Sequence, residues 1–115
     1  MGEANTPYSG QPLVAALGGG HGLAVSLRAL RRVTDRVAAI VGVADDGGSS
    51  GRLRRERGIL PPGDFRMALA ALCDEDAQSQ PWVDVLQFRF SYGGELSGHA
   101  LGNLLLSAVW EKTSD

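Results

Sequence analysis

Leu13-Val14-Ala15-Ala16-Leu17 runs directly into Gly18-Gly19-Gly20-His21-Gly22. The five apolar residues, bounded by Pro12 and Gly18, suit a short buried strand of a parallel sheet. After the glycines, Leu23, Leu27 and Leu30 recur at i, i+4 and i+7, with Arg28, Arg31 and Arg32 off that stripe, which predicts an amphipathic helix. Thr34-Asp35 breaks the pattern, and Val37 to Val43 reads as a second buried strand. The order is strand, glycine turn, helix, strand: a βαβ unit with a right-handed crossover, and so an α/β fold.

That topology has a consequence for function. In such sheets ligands bind beyond the carboxyl ends of the strands. The first strand ends in the glycine cluster. The second ends in Ala44-Asp45-Asp46-Gly47-Gly48-Ser49-Ser50-Gly51-Arg52. If the strands are parallel neighbours, both segments share one rim and form one candidate site.

The chemistry of each segment is open at this level. Gly18 to Gly22 opens a helix, whose free N–H groups and dipole attract anions. Its spacing is neither a dinucleotide fingerprint, since Leu23 and Val25 stand where a third glycine belongs, nor a P-loop. A tight structural turn is the alternative. The Asp-Asp loop can place backbone amides and an arginine around a phosphate, or carboxylates around a metal ion; the alternative is a surface loop rich in turn formers. Neighbours in sequence point differently, so one of Asp45 and Asp46 is expected to face the site.

The rest of the chain is read more coarsely. Arg52 to Gly58 is a basic helical turn or loop. Ile59 to Asp64 turns into a helix with Asp64 as N-cap and Phe65, Leu69 and Leu72 as its apolar face. Asp74 to Pro81 is a polar linker, and Trp82 to Phe90 fits helix or strand. Ser97 to Lys112 is predicted helical, with Leu101, Leu104, Leu105, Ala108 and Val109 facing a core. Gly98 and Gly102 weaken that helix, which suggests that a backbone or ligand comes close. His99 and Asn103 then share a face, and a buried Asn103 needs a partner. Trp82 and Trp110 suit a core or an interface.

Composition bounds the rest. With 115 residues, 43% apolar and 21% charged, the chain is an ordinary soluble composition with room for one small core. A net charge of −2 gives no electrostatic case for nucleic acid. Ten of the eleven basic residues are arginine, which grips phosphates or carboxylates bidentately. Cys73 is the only cysteine, so no intrachain disulfide forms and a reducing compartment fits. No apolar run approaches a membrane span, and the first dozen residues do not read as a secretory signal. A cytoplasmic protein is the expectation.

Four stretches together resemble a known family: Gly18 to Leu23, Val43 to Leu53, Pro61-Pro62-Gly63-Asp64-Phe65-Arg66, and Gly94 to Leu105 with Gly98-His99-Ala100-Leu101-Gly102-Asn103 at its centre. In this order they look like the gluconeogenesis factor family (YvcK-like, UPF0052), which is related to 2-phospho-L-lactate transferase (CofD-like). The resemblance implies a Rossmann-like parallel sheet with flanking helices. It implies a cytoplasmic regulator that binds UDP-N-acetylglucosamine and supports cell shape and cell-wall precursor supply on gluconeogenic carbon sources. The alternative it offers is a metal-dependent phospholactyl-type transferase, with Mg2+ at Asp45 and Asp46.

Carried over by motif, Gly19, Gly20, His21 and Gly22 would approach a diphosphate or ribose, Asp45 and Asp46 the sugar, and Ser49, Ser50 and Arg52 the phosphates. Asp64, His99 and Asn103 would line the same cleft. His21 stands where the family usually has Thr or Ser, and Met67 where it usually has Asn. Family members continue with further strands and helices. Residues 1–12 are therefore read as a disordered tail and 13–115 as the N-terminal part of the domain, from a fragment, a truncated gene product or a mispredicted reading frame. An open sheet edge and uncovered apolar faces are expected, which a homo-oligomer or a regulatory protein partner could cover.

Overall fold

The computed structural model describes residues 10–113. The expected tail falls largely on residues 1–9, outside the described residues. Its last part is tied down: Thr34 Oγ1 donates to the Pro12 carbonyl (2.7 Å), and the Asp35 amide donates to Gln11 Oε1 (3.0 Å).

Strand β1 (Val14–Gly18), helix α1 (Gly20–Arg31) and strand β2 (Val37–Val41) form the expected βαβ unit. The strands pair in parallel, Val14 opposite Val37 through Gly18 opposite Val41. The amide of Gly42 donates to the carbonyl of Gly18 at 2.8 Å and extends the ladder past β2. Both strands alternate between half-buried and exposed residues, as a sheet covered on one side does. The covered face carries Ala16, Val37, Ala39 and Val41 against Leu23, Ala24 and Leu27 of α1. Leu27 is completely buried, worth about 1.5–3 kcal/mol for a side chain of its size.

Four further helices follow: α2 (Gly48–Arg57), α3 (Gly63–Leu72), α4 (Gln80–Gln87) and α5 (Leu101–Thr113). Helix α3 packs on α1 through Ala68 and Ala71. Small side chains make this contact, and the expected apolar face of α3 is displaced: Phe65 is 47% exposed. Helix α5 departs further from expectation. It starts at Leu101, not Ser97, because Gly98 sits at φ +83°, a left-handed conformation outside a right-handed helix. Its buried positions are Gly102, Asn103 and Ser107, while Leu105 and Val109 are exposed. The close approach expected at its glycines occurs at Gly102. A Cβ there would lie 2.5 Å from the Leu86 carbonyl oxygen of α4 and 2.8 Å from Arg66 Cδ of α3.

The stretch from Phe88 to Phe90 is neither helix nor regular strand. It pairs with the segment before α5: Leu101 N–H donates to the Phe88 carbonyl (2.7 Å) and Phe90 N–H to the His99 carbonyl (3.0 Å). This clasp fixes Arg89 and His99 beside the starts of α2 and α5.

The second face of the sheet is open, with Leu17 78% and Ile40 53% exposed. On the covered side, an apolar groove of 310 Å³ lies between the end of β2, the start of α3 and α5, lined among others by Val41, Leu60, Phe65, Val109 and Trp110. Trp82 is 66% and Trp110 38% exposed, so neither is a core residue among the described residues. No helix of the described residues is long and apolar enough to cross a membrane.

Candidate functional site

The parallel pairing puts the glycine turn and the Asp-Asp segment on one rim, at the carboxyl ends of β1 and β2. The Asp-Asp segment is only partly loop. Residues 42–47 are irregular, and from Gly48 the chain is already helix α2, so Ser49, Ser50 and Arg52 lie on a helix. Three consecutive small residues can be packed tightly there, and Ser49, Ser50 and Gly51 are all buried.

The two aspartates diverge. Asp45 accepts the Gly47 amide on Oδ1 at 3.0 Å, a local turn that aims its carboxylate inward. Asp46 is exposed and faces Arg55 at 3.6 Å. The pair therefore does not converge on one metal position, and no group of three His, Cys, Asp or Glu side chains among the described residues gathers as a metal site.

The start of α3 locks onto the start of α2. The amide of Gly63 donates to Ser50 Oγ at 2.8 Å. A Cβ on Gly63 would collide with that oxygen and stand 3.1 Å from Asp45 Oδ2. Asp64 is not the N-cap of α3: that position is Pro62, and helix position two holds Asp64 instead. Its carboxylate turns away from its own helix and lies against Gly19, where a Cβ would overlap Oδ2. The amino-terminal end of α1, which has no side-chain cap of its own, thus faces a carboxylate from α3.

Behind the rim a chain of polar side chains crosses the interior. Arg66 Nε donates to Asn103 Oδ1 (2.9 Å), Asn103 Nδ2 donates to Ser49 Oγ (3.1 Å), and Ser49 Oγ meets His99 Nδ1 at 2.7 Å. All four residues are buried. The direction of the first two bonds follows from Arg66, which only donates. It fixes the carboxamide orientation of Asn103, so Ser49 Oγ accepts from Asn103 Nδ2, and the direction of its bond with His99 Nδ1 follows the imidazole tautomer. Burial and the nearby charge of Arg52, with a further push from Arg89, hold the His99 imidazole below its ordinary pKa against the opposing charge of Glu56. Arg66 also donates through Nη1 to Gln87 Oε1.

These elements enclose a pocket of 210 Å³. Asp45, Gly47, Ser49 and Ser50 line one wall, and Asp64, Arg66, Met67, Arg89 and Asn103 the other. The structure therefore brings together Asp45, Ser49, Ser50, Asp64 and Asn103 of the expected residues. Gly19 and Gly20 lie behind Asp64. His21 and Gly22 are exposed and outside the pocket lining. His99 stands one layer back, through Ser49. Arg52 is turned elsewhere: its two terminal nitrogens donate to the carbonyls of Ser97 (2.6 Å) and Glu95 (2.7 Å). Arg66 and Arg89 were not among the expected site residues. The sequence required a partner for a buried Asn103 without naming it, and the structure supplies Arg66. Nothing in the sequence pointed to Arg89, whose place depends on the clasp at 88–90. A larger hollow of 570 Å³, beside Arg28, Cys73 and Gln80, gathers none of the four motifs.

Known proteins resemble this chain. The profile of the family described as 2-phospho-L-lactate transferase CofD matches residues 14–115. A putative gluconeogenesis factor of Mycobacterium leprae is 57% identical over 104 residues, 90% of this chain and 29% of that protein. The gluconeogenesis factor of Bacillus subtilis is 51% identical over 105 residues, 91% of this chain and 32% of that protein. A solved UPF0052 protein of Bacillus halodurans superposes with a TM-score of 0.77 at 46% identity, over 92% of this chain and 34% of that one. The chain thus spans about a third of the length of the relatives it matches. Matched by that profile over residues 14–115, the chain belongs to the 2-phospho-L-lactate transferase CofD family.

Proposed function

We infer that this chain carries part of the ligand site of a nucleotide-sugar-binding regulator of the gluconeogenesis-factor type. UDP-N-acetylglucosamine is its ligand, and its role is to support cell shape and cell-wall precursor supply in the cytoplasm on gluconeogenic carbon sources. The observation that carries this reading is the pocket between the starts of α2 and α3. It combines carboxylates suited to sugar hydroxyls with guanidinium groups and open helix amides suited to phosphates. The identity to proteins named gluconeogenesis factor supports the regulatory role. Calorimetric titration of the chain with UDP-N-acetylglucosamine, beside a guanosine diphosphate control, tests it. Saturable, uridine-selective binding is expected; equal binding of both nucleotides removes the assignment.

A second reading rests on the family description, which names a transferase. Here Mg2+ would neutralise a phosphate group during phospholactyl transfer. Asp45 is the inward carboxylate of the pair and Asp64 lines the same pocket, a donor set that suits Mg2+ only together with ligand phosphates. Product formation from a guanosine-linked phospholactyl donor and a deazaflavin acceptor, dependent on Mg2+, would favour this reading over the regulator.

A further inference from the structure

Arg66 is buried to all but 6% of its surface, yet two of its three nitrogens satisfy neutral amide groups and none meets a carboxylate at ion-pair distance among the described residues. Its remaining nitrogen, Nη2, carries no hydrogen bond among the described residues. It is not sealed in either, because no buried side-chain nitrogen or oxygen lacks a partner there. Arg66 is itself a lining residue of the 210 Å³ pocket.

A second guanidinium shares the pocket. Arg89 is anchored by Nη1 on the Gly98 carbonyl at 2.7 Å, and lines the wall beside Arg66. The two like charges oppose one another: with burial, the charge of Arg89 pushes Arg66 below its ordinary pKa, and only Asp64 pulls the other way. A buried cation beside a second cation is an unfavourable arrangement without an anion. The start of α2 opens on the same pocket at Gly47 and Gly48, with no side-chain cap over its first amides. The carboxylates of Asp45 and Asp64 are also present, so the anion is confined to the side of the two arginines.

We propose that Arg66 and Arg89 form the anion subsite of this pocket, taking a phosphoryl group of the ligand with the open amides at the start of α2. Asn103 and Gln87 are positioning residues: they hold the Arg66 fork so that Nη2 meets the anion with little ordering left to lose. This inference deepens the nucleotide-sugar reading and rests on it for the remainder of the ligand. The role is one that motif comparison had placed on Arg52, whose nitrogens are spent on the Glu95 and Ser97 carbonyls.

The test is calorimetric titration of inorganic pyrophosphate, UDP-N-acetylglucosamine, guanosine diphosphate, uridine and N-acetylglucosamine into the wild-type chain, Arg66→Lys and Arg89→Gln. Thermal melting of each variant is followed in parallel. Arg89 is exposed, so Arg89→Gln is expected to melt like the wild type and to bind the phosphate-bearing probes about tenfold more weakly. Arg66→Lys keeps the charge but loses the fork, and is expected to weaken the same probes at least as much. Uridine and N-acetylglucosamine should show no dependence on either arginine. Uridine-selective binding of UDP-N-acetylglucosamine that is unchanged in a folded Arg89→Gln overturns the subsite and leaves the nucleotide-sugar reading standing. Arginine-dependent binding of pyrophosphate with no preference between the two nucleotides does the reverse. A wild-type chain that melts cooperatively and binds no phosphate-bearing probe also overturns the subsite.

Discussion

Arg66 Nε donates to Asn103 Oδ1 at 2.9 Å, and both residues are at least 94% buried. This bond joins α3 to α5 where an all-apolar contact would otherwise be expected. Asn103→Ala leaves a buried guanidinium without one of its acceptors and Ser49 without a donor. A loss of roughly 2–3 kcal/mol is expected, the range for stranding a buried charged donor, read as a lower urea midpoint. Unchanged stability would show that water replaces the carboxamide.

The imidazole of His99 makes stability depend on pH. Its pKa is held below the ordinary value by burial and by Arg52 and Arg89, against Glu56. In the unfolded chain it titrates near about 6.5, so below that pH the unfolded state binds more protons and folding weakens. The stability is complete above that value and is lost as pH falls through the lower, folded pKa. His99→Asn can keep a polar atom near the Nδ1 position without titrating. Melting temperatures across this range should fall less steeply with acid in the variant than in the wild type.

Gly63→Ala tests the junction of α2 and α3. The added methyl meets Ser50 Oγ and Asp45 Oδ2. Overpacking of this kind costs roughly 1–3 kcal/mol, and here it also forces the pocket walls apart. Both the melting temperature and the affinity for UDP-N-acetylglucosamine are expected to drop. A variant with wild-type melting and wild-type affinity would mean that the junction yields freely.

Asp45→Ala separates binding from stability. It removes one partly exposed bond to the Gly47 amide, worth about 0.5–1.5 kcal/mol, together with the inward carboxylate of the pocket. Affinity is expected to fall while the chain still melts cooperatively. Proportional loss of both would assign Asp45 a structural role only.

Arg52→Ala acts on a loop. The side chain holds the Glu95 and Ser97 carbonyls, so its removal should speed amide hydrogen exchange around residues 94–98 more than elsewhere. Exchange that stays unchanged in that segment would mean the loop is held by the clasp to Phe88–Phe90 alone.

Much of the βαβ unit was legible because local signals agreed. Continuous apolar runs marked β1 and β2, and the leucine period marked α1. The rim followed from topology. The failures have one cause: they lie where tertiary contacts override local pattern. Asp64 carries a capping side chain, but the close approach of Gly19 gives it a different neighbour. The leucines of α5 have a helical period, yet the buried side of that helix is chosen by Asn103, whose partner lies 37 positions away. Ser49 to Arg52 reads as loop from its glycines and serines, while the packing of α2 against α5 and the start of α3 makes it helix. Arg89 had no local signal at all.

The glycine contacts at Gly19 and Gly63 also bear on how this pocket can change. Gly63 lies against Ser50 Oγ and Asp45 Oδ2 of the facing wall, and Gly19 backs the Asp64 carboxylate, so a methyl at Gly63 strikes that wall and one at Gly19 displaces the carboxylate. Drift toward a larger or differently shaped ligand is blocked at those positions. It can proceed through Met67, a lining side chain without such a constraint. Selection for altered ligand choice should therefore return substitutions at Met67 first and leave Gly19 and Gly63 untouched.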